Sequence, residues 1–196
     1  MGMVLAHHII MTFYGFWLPN DPRGSWSDYV RTWEIYWYGS ATKIDERRSV
    51  AHTIHDRNLR AFQKTALRYD PVELTGLQAL RVGQGFAKAI LESSYRVRAC
   101  SILPSHVHLV VDRHDSPAER IAGHLKARAT QSLISNGLHP FAAHCKGDDA
   151  PPRMWSRRSW KVFLNDDDDI ERAIKYVQEN PLKEGKPLQK WAFVVC

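Results

Sequence analysis

The sequence predicts an α+β domain in which helices pack on a mainly antiparallel sheet. Three observations predict it: short β-branched runs, amphipathic stretches between them, and the order strand, helix, strand, strand, helix, strand, helix. Two strand–helix–strand units in this order are typical of a ferredoxin-like (RRM-like) sheet. The chain of 196 residues, 44% of them hydrophobic, is expected to form a single domain over residues 1–196.

The four strands are predicted from β-branched and aromatic runs. They are expected at residues 4–14 (VLAHHIIMTFY), at 95–103 and 106–112 with a tight turn between them, and at 160–164 (WKVFL). A long ordered insertion, packed on the domain, is predicted after the first strand at about 15–70, because four of the seven tryptophans lie there. Within it, about 45–68 favours a helix.

Three further helices are predicted around the later strands. The first covers 71–93 and is weakened by Gly76, Gly83 and Gly85. The second begins with a capping box, Ser116-x-x-Glu119, and ends at Gly137. Its apolar stripe consists of Ala118, Ala122, Leu125, Ala129 and Leu133.

The last helix is predicted to begin at the four aspartates 166–169 and to run to about Asn180. Pro181 and Gly185 are expected to stop it. Its apolar stripe consists of Ile170, Ala173, Ile174 and Val177.

Composition and charge exclude several classes of protein. No apolar run approaches the roughly 18 residues of a membrane span, and the first residues do not form a secretory signal. The three cysteines fit neither a disulfide framework nor a zinc pattern, so we expect a cytoplasmic protein without a membrane partner. The net charge of +6 is compatible with a polyanionic partner.

A basic, tryptophan-containing run at 153–161 (RMWSRRSWK) predicts contact with nucleic acid. Cationic side chains can bind phosphates while indole rings stack on unpaired bases. The alternative is a solvated loop whose tryptophans belong to the core. The candidate DNA-binding residues are Arg153, Trp155, Arg157, Arg158, Trp160 and Lys161.

The pair His106 and His108 predicts half of a metal site. Residues i and i+2 of a strand project to the same face, so both imidazoles are expected on one non-core face, with Val107, Leu109 and Val111 on the core face. Two neutral imidazoles are common ligands of divalent metals. The alternative is a chance alternation of histidines on a wet strand.

The last helix offers further candidates. Tyr176 and Asn180 are four residues apart, so they lie one above the other along the edge of the apolar stripe. The carboxamide could complete a metal site, and the phenol would lie beside the metal. The alternative is a half-buried tyrosine and an asparagine that merely ends the helix.

Three segments together resemble the single-tyrosine His-hydrophobic-His (HUH) transposases, in the branch associated with repetitive extragenic palindromes (REP). They are LPSHVHLVV (103–111), WSRRSWKVFL (155–164) and AIKYVQENPLKEGK (173–186). The resemblance covers residues 95–190 well, the first strand reasonably and the insertion hardly at all. Ser105 departs from the asparagine that usually precedes the first histidine.

This resemblance implies a DNA nicking and strand-transfer enzyme. His106, His108 and Asn180 would bind Mg²⁺ or Mn²⁺, and Tyr176 would attack a phosphate of single-stranded DNA near a hairpin, giving a 5′-phosphotyrosine and a free 3′-OH. Such an enzyme would act at the nucleoid. Relatives work as monomers or as homodimers.

Two alternatives stay open at this point. One is an inactive or domesticated nucleic-acid-binding relative of the same fold. The other is a metal-dependent hydrolase that activates water with the same histidines, and it would tolerate loss of Tyr176.

Overall fold

The computed structural model describes residues 3–19, 30, 33–39, 56–145, 147 and 149–195. The chain divides into two compact units, one formed by Met1–Thr12 with Glu73–Cys196 and the other by Phe13–Val72. The second unit includes the segment at about 15–70 that was predicted as an insertion. Of the helices in the described ranges, none has the length and apolar character needed to cross a membrane.

The first unit contains the four-stranded antiparallel sheet that the sequence predicts. Its strands are β1 (Ala6–Thr12), β2 (Val97–Ile102), β3 (His106–Asp112) and β4 (Trp160–Leu164), in the spatial order β2-β3-β1-β4. This is the strand order of a ferredoxin-like sheet. The α-helices within the described residues are α1 (Trp33–Tyr36), α2 (Arg57–Thr65), α3 (Gly76–Ser93), α4 (Ala118–Ser135) and α5 (Asp167–Lys183).

Both faces of the sheet are covered. The predicted stripe of α5 packs on Ala6, Ala99, Val110 and Leu164, which lie on one face. The opposite face carries Val107, Leu109 and Val111 of β3, as predicted, together with Ile9 and Met11 of β1, and all five side chains are inaccessible to solvent. Helices α3 and α4 pack together beneath that second face, and every residue of the predicted α4 stripe is buried.

Helix α3 begins at a capping box that sequence analysis did not identify. The Thr75 hydroxyl accepts a hydrogen bond from the Gln78 N–H, and the Gln78 side chain accepts one from the Thr75 N–H. Gly85 lies in the helix where α4 comes closest, because an added Cβ would be only 2.5 Å from the Ala129 Cα. Gly85, predicted only to weaken this helix, therefore also allows the two helices to pack closely.

The predicted capping box of α4 is wrong. Pro117 is the N-cap residue and makes no side-chain cap bond, while the Ser116 N–H donates to His114 Nδ1. Glu119 forms an ion pair with Lys161 of β4. The end of α4 at Gly137 is confirmed: this residue has φ of 66°, and its N–H donates to the Ile134 carbonyl.

Helix α5 continues beyond its predicted end. It runs through Pro181 to Lys183, because a proline in the last turn removes only one helical hydrogen bond. Gly185, with φ of 65°, then ends it, and the Lys186 N–H donates to the Pro181 carbonyl in a Schellman arrangement.

The segment after α5 pairs with the outer edge of β2. Gln189 Oε1 accepts the Ile102 N–H, and Gln189 Nε2 donates to the Ile102 carbonyl, both at 2.8 Å. Farther along, Val194 forms a parallel bridge to Val97, and the Val195 N–H donates to the Val97 carbonyl. This edge of the sheet is therefore covered.

The second unit contains α1 and α2. Asp56 caps α2 by accepting hydrogen bonds from the N–H groups of Asn58 and Leu59. Inside the unit, Gln63 Nε2 donates to the Pro19 carbonyl. Of the helix predicted at about 45–68, residues 57–65 are helical, whereas 45–55 lie outside the described residues, so the predicted ordered insertion stays a prediction.

Candidate active site

The two histidines of β3 lie on the sheet face that α5 covers. Their ring centroids are 4.8 Å apart, and the Ser105 hydroxyl is 3.0 Å from His106 Nδ1. His106 is 9% exposed and His108 is 4% exposed. Their common face is confirmed, but the prediction of a non-core face is wrong, because α5 packs over it and excludes most of the water.

A third histidine, His8 of β1, joins this pair and was missed by sequence analysis. Its Nε2 is 2.9 Å from His108 Nδ1, so this contact fixes the orientation of the His108 ring. Burial lowers the pKa of His8 to about 4. Burial, followed by the neighbouring charges of His106, His8 and Lys183, holds the pKa of His108 well below its usual range. His8 and His108 are therefore neutral at pH 7, the form in which an imidazole binds a metal.

Helix α5 brings the predicted tyrosine and asparagine to the histidines. The Tyr176 ring centroid is 5.4 Å from that of His108 and 5.9 Å from that of His8. Tyr176 is 37% exposed, whereas Asn180, one turn later, is buried. Because Tyr176 contacts His108 and Glu184 Oε1 lies 3.9 Å from His106 Nε2, Asn180 lies between these two contacts along the chain of α5.

Two further charged residues border the site because α5 extends past Pro181. Lys183 Nζ lies 4.4 Å from the centroid of the Tyr176 ring. Glu184 Oε1 lies 3.9 Å from His106 Nε2. The spacing of these residues, seven and eight positions after Tyr176, is the signal that could have identified them, since it places them on the same helical face.

The phenol of Tyr176 is protonated at neutral pH. Burial raises its pKa above the ordinary value, and the negative charge of Glu184 raises it further. Burial also raises the pKa of Glu184 itself, partly opposed by Lys186. A nucleophilic role for Tyr176 therefore requires a positive charge near the reacting phosphate.

The donor set fits a divalent metal if the Asn180 amide takes part. Within the described residues, no three histidine, cysteine, aspartate or glutamate side chains are grouped closely enough to hold a metal ion. However, Asn180 Nδ2 and Ser101 Oγ are both buried without a hydrogen-bond partner, and Ser101 is opposite His108 in the strand register. A half-turn of the amide would present its oxygen at the place of Nδ2, where it could act as a metal ligand. Two imidazoles and an amide oxygen suit Mn²⁺ and, less strongly, Mg²⁺.

The residues of the basic run at 153–161 differ in their exposure to solvent. Arg153, Arg157 and Arg158 are exposed to solvent. Trp155 is partly buried: its ring stacks on Phe86 with centroids 6.4 Å apart, and its Nε1 donates to the Thr130 hydroxyl at 3.1 Å. Lys126 of α4 holds the backbone of the same segment, since its Nζ donates hydrogen bonds to the Ser156 and Arg158 carbonyls.

The last two residues of this run lie on opposite faces of the sheet. Trp160 and His108 are both opposite Ile10 in the strand register, so Trp160 shares the face of the candidate site. Lys161 points to the other face, where it contacts Glu119. Strand alternation thus places Trp160, but not Lys161, on the same sheet face as the histidines.

Comparison with known proteins adds one sequence relative and two structural ones. No family model matches the chain. The chain is 32% identical over 90 residues to a protein of Haemophilus influenzae named "Putative REP-associated tyrosine transposase". The match covers 44% of this chain and 49% of that protein, so the chain spans about half the length of the curated relative it matches.

The structural matches are more distant. A REP-associated tyrosine transposase bound to a REP hairpin aligns with 94% of this chain and 72% of its own, at 13% identity and a TM-score of 0.49. A "putative transposase" from Deinococcus radiodurans aligns with 91% of this chain and 92% of its own, at 9% identity and a TM-score of 0.41. The sequence match by itself confirms the predicted resemblance to REP-associated tyrosine transposases.

Proposed function

We propose that this chain is a metal-dependent DNA endonuclease and strand transferase that acts on single-stranded DNA near hairpins. The observation that carries this proposal is the contact of the partly exposed Tyr176 ring with His108 of the His106–His108 pair. The relative's name supports the same activity. Homodimer formation stays a prediction from the resemblance.

The proposed reaction is a transfer of a phosphodiester to Tyr176. The phenol oxygen attacks the phosphorus, the bond from phosphorus to the 3′-oxygen breaks, and a 5′-phosphotyrosine forms. The phenol loses its proton and the departing 3′-oxygen gains one, so the products are the covalent adduct and a free 3′-OH. Because the phosphotyrosine retains the energy of the broken bond, a later 3′-OH can reverse the step without ATP.

In this proposal, His106, His108 and Asn180 would hold Mg²⁺ or Mn²⁺, which when bound would polarise the scissile phosphate and stabilise the charge of the transition state. His8 orients His108 through the contact at its Nδ1. The ammonium group of Lys183 lies 4.4 Å from the centroid of the Tyr176 ring, where a positive charge would favour the phenolate.

The DNA strand would reach the site along the basic run. The exposed side chains of Arg153, Arg157 and Arg158 would bind phosphates, and Trp160 lies on the sheet face that carries Tyr176. Trp155, packed on Phe86, would support this segment from beneath. Stacking of an unpaired base on Trp160 would align the strand with the nucleophile.

The decisive experiment is the substitution Tyr176→Phe, assayed on a hairpin with a single-stranded flank. With Mn²⁺, the unmodified protein should form a covalent adduct visible on a denaturing gel, and Tyr176→Phe should form neither adduct nor cleaved strand. Binding of the hairpin in EDTA should be unchanged, since only one oxygen is removed. Tyr95→Phe is the matched control and should keep the adduct, because the Tyr95 hydroxyl is directed to His124 at 3.3 Å.

The alternatives give different results in the same assay. An adduct formed by Tyr176→Phe would place the nucleophile elsewhere. Cleavage without an adduct in both proteins would favour the water-activating hydrolase. Hairpin binding with neither adduct nor cleavage in the unmodified protein would favour an inactive or domesticated relative.

A further inference from the structure

Helix α4 holds one segment of the basic run in place. Lys126 Nζ donates to the Ser156 carbonyl at 2.9 Å and to the Arg158 carbonyl at 3.3 Å. Arg157 lies between these two residues, so its backbone is fixed on both sides by a single ammonium group. We refer to residues 155–158 as the clamped segment.

Thr130, one helical turn after Lys126, secures the start of the clamped segment. Its hydroxyl accepts the Trp155 Nε1–H at 3.1 Å and donates to the Lys126 carbonyl at 2.8 Å. The Lys126 ammonium group also lies 5.8 Å from the centroid of the Trp155 ring, within reach of a cation–π contact. Both residues of α4 therefore contact the clamped segment directly.

Strand β1 ties the clamped segment to the candidate active site. The Ser156 N–H donates to the Thr12 carbonyl at 2.9 Å, and the Thr12 hydroxyl donates to the Ser156 hydroxyl at the same distance. Thr12 is opposite His106 in the register of β1 with β3, so the two side chains share one sheet face. The position of the clamped segment is therefore fixed relative to the histidines.

We propose that Lys126, together with Thr130, is a positioning residue for DNA binding: it holds the backbone of the clamped segment so that the Arg157 side chain can bind a phosphate of the hairpin. The inference rests on the proposed function for its ligand, and it gives a role to a residue of α4 outside the basic run. Arg157 is exposed to solvent. A guanidinium group on a fixed backbone loses less conformational freedom on binding than one on a mobile loop.

The surroundings of Lys126 favour this positioning role over direct contact with DNA. Two of the three N–H donors of its ammonium group are taken by the Ser156 and Arg158 carbonyls. Burial lowers the pKa of Lys126 to about 8, which reflects the loss of water around the ammonium group. Such a cation acts on DNA mainly through the segment that it holds.

A double-mutant cycle tests this inference, with binding of a DNA hairpin measured by fluorescence anisotropy in EDTA at pH 7. Lys126→Met and Arg157→Ala should each weaken binding by roughly threefold to thirtyfold, and the double variant should bind no more weakly than the weaker single variant. Each of the three variants should lower the salt slope of binding by about one charge, because all lose the same phosphate contact. Arg120→Met is the matched control: it removes an exposed cation of the same helix, and any effect it has should add to that of Arg157→Ala.

Lys126→Met should remain folded at pH 7, which urea denaturation checks, because methionine has a similar length and burial of an ammonium group is itself unfavourable. Thr130→Val is a second variant, which removes the acceptor of the Trp155 N–H without changing any charge. Its loss of hairpin affinity and of salt slope should also disappear when Arg157 is already replaced by alanine. A neutral substitution removes no charge, so a lower salt slope in Thr130→Val would show that the phosphate contact depends on the position of the clamped segment.

The inference is overturned if the losses from Lys126→Met and Arg157→Ala add, because Lys126 would then act independently of Arg157. It is also overturned if folded Lys126→Met binds the hairpin as tightly as the unmodified protein. If Lys126→Met does not fold, the cycle of Thr130→Val with Arg157→Ala decides by the same two criteria. Failure of the proposed function would look different: the coupled losses would persist, but no Tyr176-dependent adduct would form with Mn²⁺. An unmodified protein that does not bind the hairpin would overturn both.

Discussion

The close contact between α3 and α4 gives a stability prediction that the structure makes quantitative. A Cβ added at Gly85 would lie 2.5 Å from Ala129 Cα and 2.6 Å from both Ala129 N and Arg128 O. Ordinary Cβ contacts lie at 3.4–4 Å, and all three neighbours are backbone atoms that cannot rotate away. Gly85→Ala must therefore push the two helices apart by roughly 1 Å in a close-packed interior.

Two opposing effects set the size of the change. Alanine is favoured over glycine inside a helix by about 1 kcal/mol. Overpacking of a core costs about 1–3 kcal/mol, and a backbone neighbour argues for the upper end of that range. We expect a net loss of about 2 kcal/mol in the free energy of unfolding, which corresponds to a fall in Tm of roughly 4–8 °C for a chain of this size.

Urea denaturation of Gly85→Ala beside Gly76→Ala measures this effect. Gly76 is the first residue of the same helix, and a Cβ there has no neighbour within 4 Å. Gly76→Ala should therefore be as stable as the unmodified protein or slightly more stable. If Gly85→Ala matches Gly76→Ala in stability, the close approach of the helices described above is incorrect.

Three further predictions concern the site and the basic run. His8→Phe should weaken Mn²⁺ binding in calorimetry about 10- to 100-fold, because His108 loses its orienting partner. His7→Phe, on the opposite sheet face, should leave the Mn²⁺ affinity unchanged. Equal Mn²⁺ affinities of His8→Phe and the unmodified protein would refute the role of His8. Burial lowers the pKa of Lys126 to about 8, below its value of about 10.5 when unfolded. Between these pH values the unfolded state binds more protons, so the free energy of unfolding should rise with pH. Lys126→Met should reduce this rise in urea titrations, and identical pH profiles of the two proteins would contradict the prediction. Replacing Arg157 and Arg158 by alanine should reduce the salt dependence of hairpin binding by roughly two charges, and an unchanged slope would show that neither contacts phosphate.

The sequence predicts the sheet and the placement of four site residues well, because these depend on local patterns. Alternation places His106 and His108 on one face, and helical spacing places Tyr176 above Asn180. His8 could not be found in this way. It reaches His108 only because β1 pairs with β3 in a particular register, and a residue separation of 100 positions leaves no local signal.

The errors have equally specific causes. Lys183 and Glu184 were missed because Pro181 usually ends a helix, yet here it falls in the last turn, where its cost is small. The cap of α4 was misassigned because His114 takes the Ser116 N–H and Glu119 pairs with Lys161. In both cases a tertiary contact or position in the helix outweighed a valid local preference.

The pairing of Gln189 with Ile102 has a consequence for self-association. Its amide exchanges with the Ile102 backbone the same two hydrogen bonds that a residue of a neighbouring antiparallel strand would exchange. An uncovered strand edge is a template on which another chain can add a strand and begin aggregation. The side chain of one glutamine therefore acts as a gatekeeper at this position: its loss would leave the core intact while exposing Ile102 to strand addition by a second molecule.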